Sequence, residues 1–290
     1  SGRQCDPKLI GKQPISPSGV RDILNGIKPR AMSVQEIEET IWAFGRAAGR
    51  MKESGFDGVQ INGAHGYLMS QFLSSYTNRR RDKWGGTLEN RMRFVTQVYK
   101  EIRNEVGNNY PVIVKINSED QIRGGVTLEE SIAMSKKFET LGFNAIEVSG
   151  GIKESGFTIT KGDIPKDLIL SRLGTAKRFL FRLVEKKLRK GAEFKEGYFL
   201  PQAEAIKKNV AIPIISVGGF RRRAMMEKAL LQGQADLIAL SRPFIRQPNL
   251  VKQMEKSPNA DPINCINCNR CTVEITVHYK PLRCYYPPKK

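Results

Sequence analysis

Three side chains with useful chemistry follow a short β-branched run that includes Val59 and Ile61. They are Asn62, His65 and Tyr67, and His65 is one of only two histidines in the chain. Amide, imidazole and phenol groups can donate hydrogen bonds or a proton to a bound substrate. A βα-barrel places such groups at the carboxyl ends of its strands. The spacing therefore predicts a reactive site where this run ends.

A second group of reactive side chains lies near the end of the sequence. Cys265, Cys268 and Cys271 are separated by two residues each, and Cys284 follows. Four such thiolates can bind zinc or an iron–sulfur cluster. The alternatives are thiols without a metal, or simple packing. Because the chain begins without a secretory segment, we expect thiols in the reducing cytoplasm, with no disulfides.

Two further strand ends contain residues suited to binding an anion. Ser216-Val217-Gly218-Gly219 follows one β-branched run, and Leu240-Ser241-Arg242-Pro243 follows the next. Glycines let backbone amides approach an anion closely, and barrels commonly bind phosphate with their last two strand ends. The pattern predicts a phosphate site formed by these two turns.

The alternation of short β-branched runs with longer amphipathic segments favours a parallel α/β fold. Ser33 with Glu36, and Thr127 with Glu130, have the spacing of residues that cap helix N-termini. Gly107, Gly142 and Gly233 fall where helices should end. Strands are predicted at 58–62, 112–117, 145–149, 212–217 and 237–241, and helices at 34–53, 88–106, 128–141, 198–208 and 222–231.

The stretch 55–91 contains Asn62, His65 and Tyr67, then the order Asn-Arg-x-x-Asp from Asn78, then Trp84 with two glycines. This stretch resembles the signature of the Old Yellow Enzyme family, the FMN-dependent NAD(P)H:flavin oxidoreductases and ene-reductases. The resemblance implies a TIM-type (β/α)8 barrel that binds FMN and uses NAD(P)H as co-substrate. It also implies that the polar residues from Asn78 to Arg91 hold a structural loop.

The resemblance also implies a role for each candidate residue. Asn62 and His65 would bind the carbonyl group of a small-molecule acceptor, and Tyr67 would protonate its α-carbon. The family usually has Arg at the position of Lys115, against the flavin N1–C2 edge. The FMN phosphate would be bound by residues of the two turns, namely Gly218, Gly219, Ser241 and Arg242.

The number of predicted strands is smaller than a closed barrel requires. A (β/α)8 barrel has eight strands, whereas the sequence predicts about the last five βα units. We therefore expect a partial FMN-binding barrel over residues 1–255 and a cysteine-containing tail, packed on the barrel, over 256–290. Three explanations stay open: a fragment of a longer product, a second chain that supplies the missing strands, or a degenerate open barrel.

The net charge of +19 is high for an enzyme that acts on small molecules. It suits nucleic acid, an anionic membrane surface or phosphorylated ligands, but a solvated basic surface is favoured because the charge is spread along most of the chain and aromatic residues seldom lie between the cations. The segment 175–188 reads as a basic amphipathic helix. The alternative function is thus a non-catalytic basic barrel remnant, or a split-barrel subunit, that binds a partner or RNA. No apolar run is long enough for a membrane span.

Overall fold

The computed structural model describes residues 2–23, 26–257, 261 and 263–286. A five-stranded parallel sheet forms its centre, and the strands lie side by side in chain order. These strands are β3 (Val59–Gly63), β4 (Val112–Asn117), β5 (Ala145–Ser149), β6 (Ile214–Val217) and β7 (Leu237–Ala239). A separate parallel pair precedes them, β1 (Ile15–Ser16) and β2 (Arg30–Ala31).

The described helices connect and cover these strands. Short 3-10 helices occur at Gly2–Gln4 and Lys153–Thr158. The α-helices are α1 (Pro7–Ile10), α2 (Val34–Glu53), α3 (Leu68–Leu73), α4 (Leu88–Val106), α5 (Leu128–Leu141), α6 (Lys166–Ser171), α7 (Thr175–Ala192), α8 (Leu200–Lys207), α9 (Arg223–Leu231), α10 (Arg242–Arg246), α11 (Leu250–Lys256) and α12 (Arg270–Thr276).

The predicted caps fix several of these helix ends. Ser33 accepts a hydrogen bond from the Glu36 amide, and the Glu36 carboxylate accepts one from the Ser33 amide. Thr127 caps α5 through the Glu130 amide. Gly142 ends α5 in a left-handed conformation, which glycine adopts without steric cost. The capping prediction is confirmed at these positions.

One face of the sheet carries the main core. Val112, Val114 and Ile116 of β4, together with Ile146 and Val148 of β5, are buried under the helices. Alternate residues point to opposite faces of a strand. The helix-covered face is therefore the apolar one, and it anchors the strands whose carboxyl ends carry the candidate site.

The opposite face of the sheet is more open. It bears Gln60 and Asn62, which are exposed, and Leu237, which is 49% exposed. All-parallel sheets occur almost only with both faces covered. Among the described residues, β3 and β7 each pair on one side only. The expected α/β architecture with five βα units is confirmed, and its sheet is open at both edges.

The segment after α11 contacts the rest of the molecule at several points. Cys265 and Ile263 are buried with Leu200 and Phe220. The Asn269 amide group donates to the carbonyl oxygens of Thr160 and Asp163, at 2.6 and 3.0 Å. These contacts support the prediction that the tail packs on the barrel units. Within the described ranges, no helix combines the length and apolarity that crossing a bilayer requires.

Candidate functional site

His65 lies in a tight loop immediately after β3. Its backbone is left-handed, with φ of 61°, a conformation that is uncommon outside glycine. Its imidazole Nε2 is 2.8 Å from the hydroxyl oxygen of Ser149, at the end of β5. The Gln4 side chain also holds the loop, because it donates hydrogen bonds to the carbonyl oxygens of His65 and Gly66. The ring is therefore fixed across the carboxyl ends of the sheet.

Asn62 and Tyr67 flank this loop and stay more accessible. Oδ1 of Asn62 accepts a hydrogen bond of 3.3 Å from the Ala64 amide, which leaves the amide NH₂ group available as a donor. Tyr67 starts α3 and is 38% exposed. The structure thus places Asn62 near the end of β3, His65 in the loop that follows and Tyr67 at the start of α3, and Asn62 and Tyr67 are exposed.

Lys115 occupies the neighbouring strand, opposite Asn62 in the register of β3 and β4. Its ammonium group lies 2.9 Å from a carboxylate oxygen of Glu147, on β5. The other carboxylate oxygen of Glu147 accepts a hydrogen bond of 2.7 Å from Gln60. These groups form a polar row on the open face of the sheet. Lys115 therefore presents a cation whose charge Glu147 partly balances.

The surroundings of His65 keep its ring neutral. The pKa of His65 is lowered to about 3, first by burial and second by the charge of the nearby Lys115 ammonium. A neutral imidazole has one N–H donor and one acceptor nitrogen. At neutral pH, His65 can therefore donate a hydrogen bond to a carbonyl oxygen without carrying charge.

A buried polar network supports the His65 loop. The His65 amide donates to Oδ1 of Asn117, at 3.0 Å, and the Asn117 amide group donates to Asp120, at 2.8 Å. Asp120 also accepts from the Ser74 hydroxyl and the Val126 amide. Burial raises the pKa of Asp120, while these hydrogen bonds favour its charged form. The network fixes the ends of β3 and β4 against each other.

Gly218 and Gly219 lie at the end of β6, with φ of 137° and 76°. Their amides take part in none of the hydrogen bonds that the described residues form outside helices and strands. A Cβ at Gly219 would lie 2.8 Å from the Tyr198 ring and 2.9 Å from Phe194. Only glycine fits this close approach, and the turn keeps backbone donors available for an anion.

Arg242 and Ser241 follow the adjacent strand, β7. The guanidinium group donates to Oδ1 of Asn269, at 2.6 Å, and to the carbonyl oxygen of Lys161, at 3.0 Å. Burial raises the pKa of Tyr198, and the charge of Arg242 partly opposes that shift. The two predicted turns are thus brought together through Tyr198. A glycine turn and a guanidinium group on adjacent strands are suited to binding a phosphate group.

The four tail cysteines line one small cavity, together with Arg242 and Arg246. A guanidinium nitrogen of Arg246 donates to Sγ of Cys284, at 3.3 Å. Burial raises the pKa of Cys271. Nowhere in the described ranges do three or more Cys, His, Asp or Glu side chains take an arrangement that would hold a metal ion. The metal site at Cys265, Cys268, Cys271 and Cys284 stays a prediction.

Sequence reasoning missed two residues of the site, Glu147 and Asn117, and it missed the contact of Ser149 with His65. Glu147 had a detectable signal, because a carboxylate inside an apolar strand needs a partner. The contacts of Asn117 and Ser149 with His65 depend on strand register, which the sequence does not state. The loop from Asn78 to Arg91 is structural, as predicted: Asn78 donates to the carbonyl oxygens of Phe72 and Trp84.

Comparison with known proteins identifies relatives along most of the chain. The chain is 37% identical over 270 residues to an NADH oxidase of Thermoanaerobacter brockii, which covers 93% of this chain. It is 29% identical over 299 residues to a cinnamate reductase of Clostridium sporogenes, which covers 99% of it. A solved 2-naphthoyl-CoA reductase complex superposes with a TM-score of 0.81, at 30% identity over 98% of the chain.

These relatives are longer than the chain. The matches span 37% of the NADH oxidase, 41% of the cinnamate reductase and 41% of the solved reductase. The family model for NADH:flavin oxidoreductases matches residues 2–154 and 170–261. The match includes every predicted substrate and cofactor residue and confirms the resemblance seen in the sequence. The chain belongs to the NADH:flavin oxidoreductase / NADH oxidase family.

Proposed function

We propose that this chain forms the substrate-binding and FMN-binding part of an oxidoreductase in which hydride passes from NAD(P)H, by way of FMN, to an activated alkene, quinone or similar acceptor. One observation carries the proposal. The neutral His65 ring, the free amide donor of Asn62 and the Lys115 ammonium meet at the carboxyl ends of adjacent parallel strands. The cinnamate reductase among the relatives supports an alkene acceptor.

In this proposal, Asn62 and His65 donate hydrogen bonds to the carbonyl oxygen of the acceptor. These bonds stabilise the negative charge that develops on the oxygen when hydride adds to the β-carbon. The Tyr67 hydroxyl then gives its proton to the α-carbon, and solvent returns a proton to the phenolate. Tyr67 suits that role because it is accessible at the start of α3.

FMN, when bound, supplies the redox chemistry of the reaction. The amides of Gly218 and Gly219, with Ser241 and Arg242, would hold its phosphate group. The Lys115 ammonium would face the flavin edge that becomes negative on reduction, and Lys carries this charge without the planar fork of Arg. The two turns support this assignment because they lie on adjacent strands, β6 and β7.

The open sheet supports a partner that completes the barrel. Edge strands have unpaired backbone groups that can pair with further strands. The edge strands of the described sheet, β3 and β7, are each parallel to their one neighbour. We propose that additional βα units, in the same polypeptide or in another, pair with β3 and β7. We also propose a cytoplasmic location, in which the five cysteines stay reduced. Because Cys265, Cys268, Cys271 and Cys284 line one cavity, we also propose that they bind an iron–sulfur cluster or zinc.

The test is to purify the chain, titrate it with FMN and follow the visible spectrum. We expect bound flavin to give an absorption band at about 450 nm, and we expect this band to shift when a phenolic ligand is added. His65→Ala should weaken binding of the phenolic ligand and leave FMN affinity nearly unchanged. Tyr67→Phe should slow alkene reduction more than flavin reduction by NAD(P)H.

The proposal fails if the chain, alone and with the N-terminal units of a relative added, binds no FMN. A chain that binds no FMN and shifts labelled RNA with a steep salt dependence would instead support the basic scaffold. Iron and acid-labile sulfide, measured together, test the cysteine site.

A further inference from the structure

Helix α7 carries an exposed pair of large apolar side chains. Phe179 and Leu183 are each 64% exposed. They are four residues apart, so they lie beside each other on one helix face. The proposed oxidoreductase chemistry uses neither of them. Together they form an apolar ridge that stands out from the protein.

A row of cations runs alongside this ridge. Arg182, Lys186 and Lys190 follow each other at intervals of four residues and are exposed. They form no ion pair among the described residues. The single acidic residue of α7, Glu185, is already paired with Lys166 and Arg189. The helix has seven Lys or Arg residues in total against that one Glu.

The opposite side of α7 fixes the helix to the protein. A Cβ at Gly156 would lie 2.8 Å from Leu188, and one at Gly191 would lie 3.3 Å from Thr158. The amide of Gly162 donates to the carbonyl oxygen of Ala192 at 2.8 Å. Because α7 is held by this side, the ridge and the cation row point away from the contacts that hold the helix.

We propose that this face of α7 binds the surface of an anionic phospholipid bilayer. An interfacial helix has low overall hydrophobicity, apolar residues such as Phe and Leu on one face, and Lys or Arg on the adjoining face. Phe179 and Leu183 enter the boundary between headgroups and acyl chains. Arg182, Lys186 and Lys190 lie at the level of the lipid phosphates. The net charge of +19 adds a general attraction to anionic lipid.

The same features favour lipid over RNA. Proteins bind single-stranded RNA by stacking bases on aromatic rings beside cations. The ridge contains one ring and one branched aliphatic side chain, and leucine offers no surface for base stacking. An acyl-chain boundary accepts both side chains equally well.

The experiment measures binding of the full chain to vesicles by flotation, in about 0.1 M salt to limit weak surface attraction. The vesicles are phosphatidylcholine alone or phosphatidylcholine with phosphatidylglycerol. Binding is expected only with the anionic lipid. Phe179→Ser with Leu183→Ser, and separately Arg182→Glu with Lys186→Glu, should each weaken it about tenfold or more.

Leu231→Ser is the matched control, because Leu231 is 88% exposed on another helix, α9. It should bind vesicles like the original chain, and circular dichroism should show every variant folded. The proposal is overturned if the original chain does not bind anionic vesicles. It is equally overturned if Leu231→Ser loses as much binding as the α7 variants, or if labelled RNA binds and vesicles do not.

Discussion

The backbone N–H of His65 donates a 3.0 Å hydrogen bond to the side-chain oxygen of Asn117 on the adjacent strand. This bond joins the loop that carries the candidate substrate ligand to the end of β4. His65 adopts a left-handed backbone, which costs energy for a residue with a Cβ. Asn117 offsets part of this cost, because its side-chain oxygen accepts a hydrogen bond from the His65 amide, which this conformation turns toward β4.

Replacing Asn117 with Ala should therefore destabilise the protein and loosen the loop. The change removes the acceptor for the His65 amide and the donor to the buried Asp120. A buried polar group left without its partner costs about 1–3 kcal/mol. Urea denaturation measures the loss, and NMR of the His65 ring reports the change of the loop.

Asn144→Ala is the matched control for that substitution. Oδ1 of Asn144 also accepts a strand amide, that of Val112, at 2.8 Å, but at the opposite end of β4. It should cost less stability, because Asn144 is exposed whereas Asn117 is buried, and it should leave the His65 ring signals unchanged. Equal changes of the ring signals in both variants would contradict a specific support of the loop by Asn117.

The His65 imidazole should not titrate near neutral pH. Its pKa is lowered to about 3 by burial first and by Lys115 second. The ring proton shifts of His65, assigned with the His65→Gln variant, should stay constant between pH 5 and pH 8. A midpoint near the ordinary value of about 6.5 would show that the ring is solvated and charged at acid pH.

Lys115→Gln should raise the pKa of His65, because it removes the positive charge of the Lys115 ammonium and leaves the burial of the ring unchanged. The pKa should still lie below about 6.5, since burial stays in place. Lys100→Gln, on an exposed position of α4, should change nothing. Because Glu147 then loses its cation, Lys115→Gln should also be less stable than the control.

The shift of His65 also predicts how stability depends on pH. The unfolded chain takes up a proton near pH 6.5, whereas the folded ring resists protonation down to about pH 3. The unfolded state therefore binds more protons between these values, so the free energy of unfolding falls as the pH falls through this range. His65→Gln should show a shallower fall over the same window, measured by urea denaturation at each pH.

The sequence predicted the regular elements well where their signals are local. The bounds of α2, α4, α5, β4 and β5 match the structure, because their caps and apolar periodicity lie within each element. Strand β6 begins at Ile214, two residues later than predicted, since Pro213 has no amide to donate. Strand β7 ends at Ala239, two residues earlier than predicted, and among the described residues it pairs with a neighbouring strand on one side only.

The site was predictable in part. The motif around His65 and the two turns after β6 and β7 contain the predicted residues, and these residues do follow the carboxyl ends of the strands. The pairing of Lys115 with Glu147 was not predicted, because it depends on which strands are neighbours and in what register. The contact of Arg242 with Asn269 joins distant segments, and no local pattern encodes it.

Gly219 offers the sharpest test of the predicted phosphate turn. Its φ is 76°, and a Cβ there would lie 2.8 Å from the Tyr198 ring. Gly219→Ala should therefore lower the free energy of unfolding for two reasons. The left-handed backbone costs about 1–2 kcal/mol, and the steric clash costs roughly a further 1–3 kcal/mol.

Gly233→Ala isolates the first of these two costs. Gly233 has φ of 66°, and nothing lies within 4 Å of the position of its Cβ. The unfolding free energy of Gly219→Ala should be lower than that of Gly233→Ala by about the cost of the clash. FMN affinity should fall in the first variant alone, since only that turn lies beside Arg242 and Tyr198. Equal stability of the two variants would show that the rings yield easily and that the close packing at Gly219 does not shape the turn.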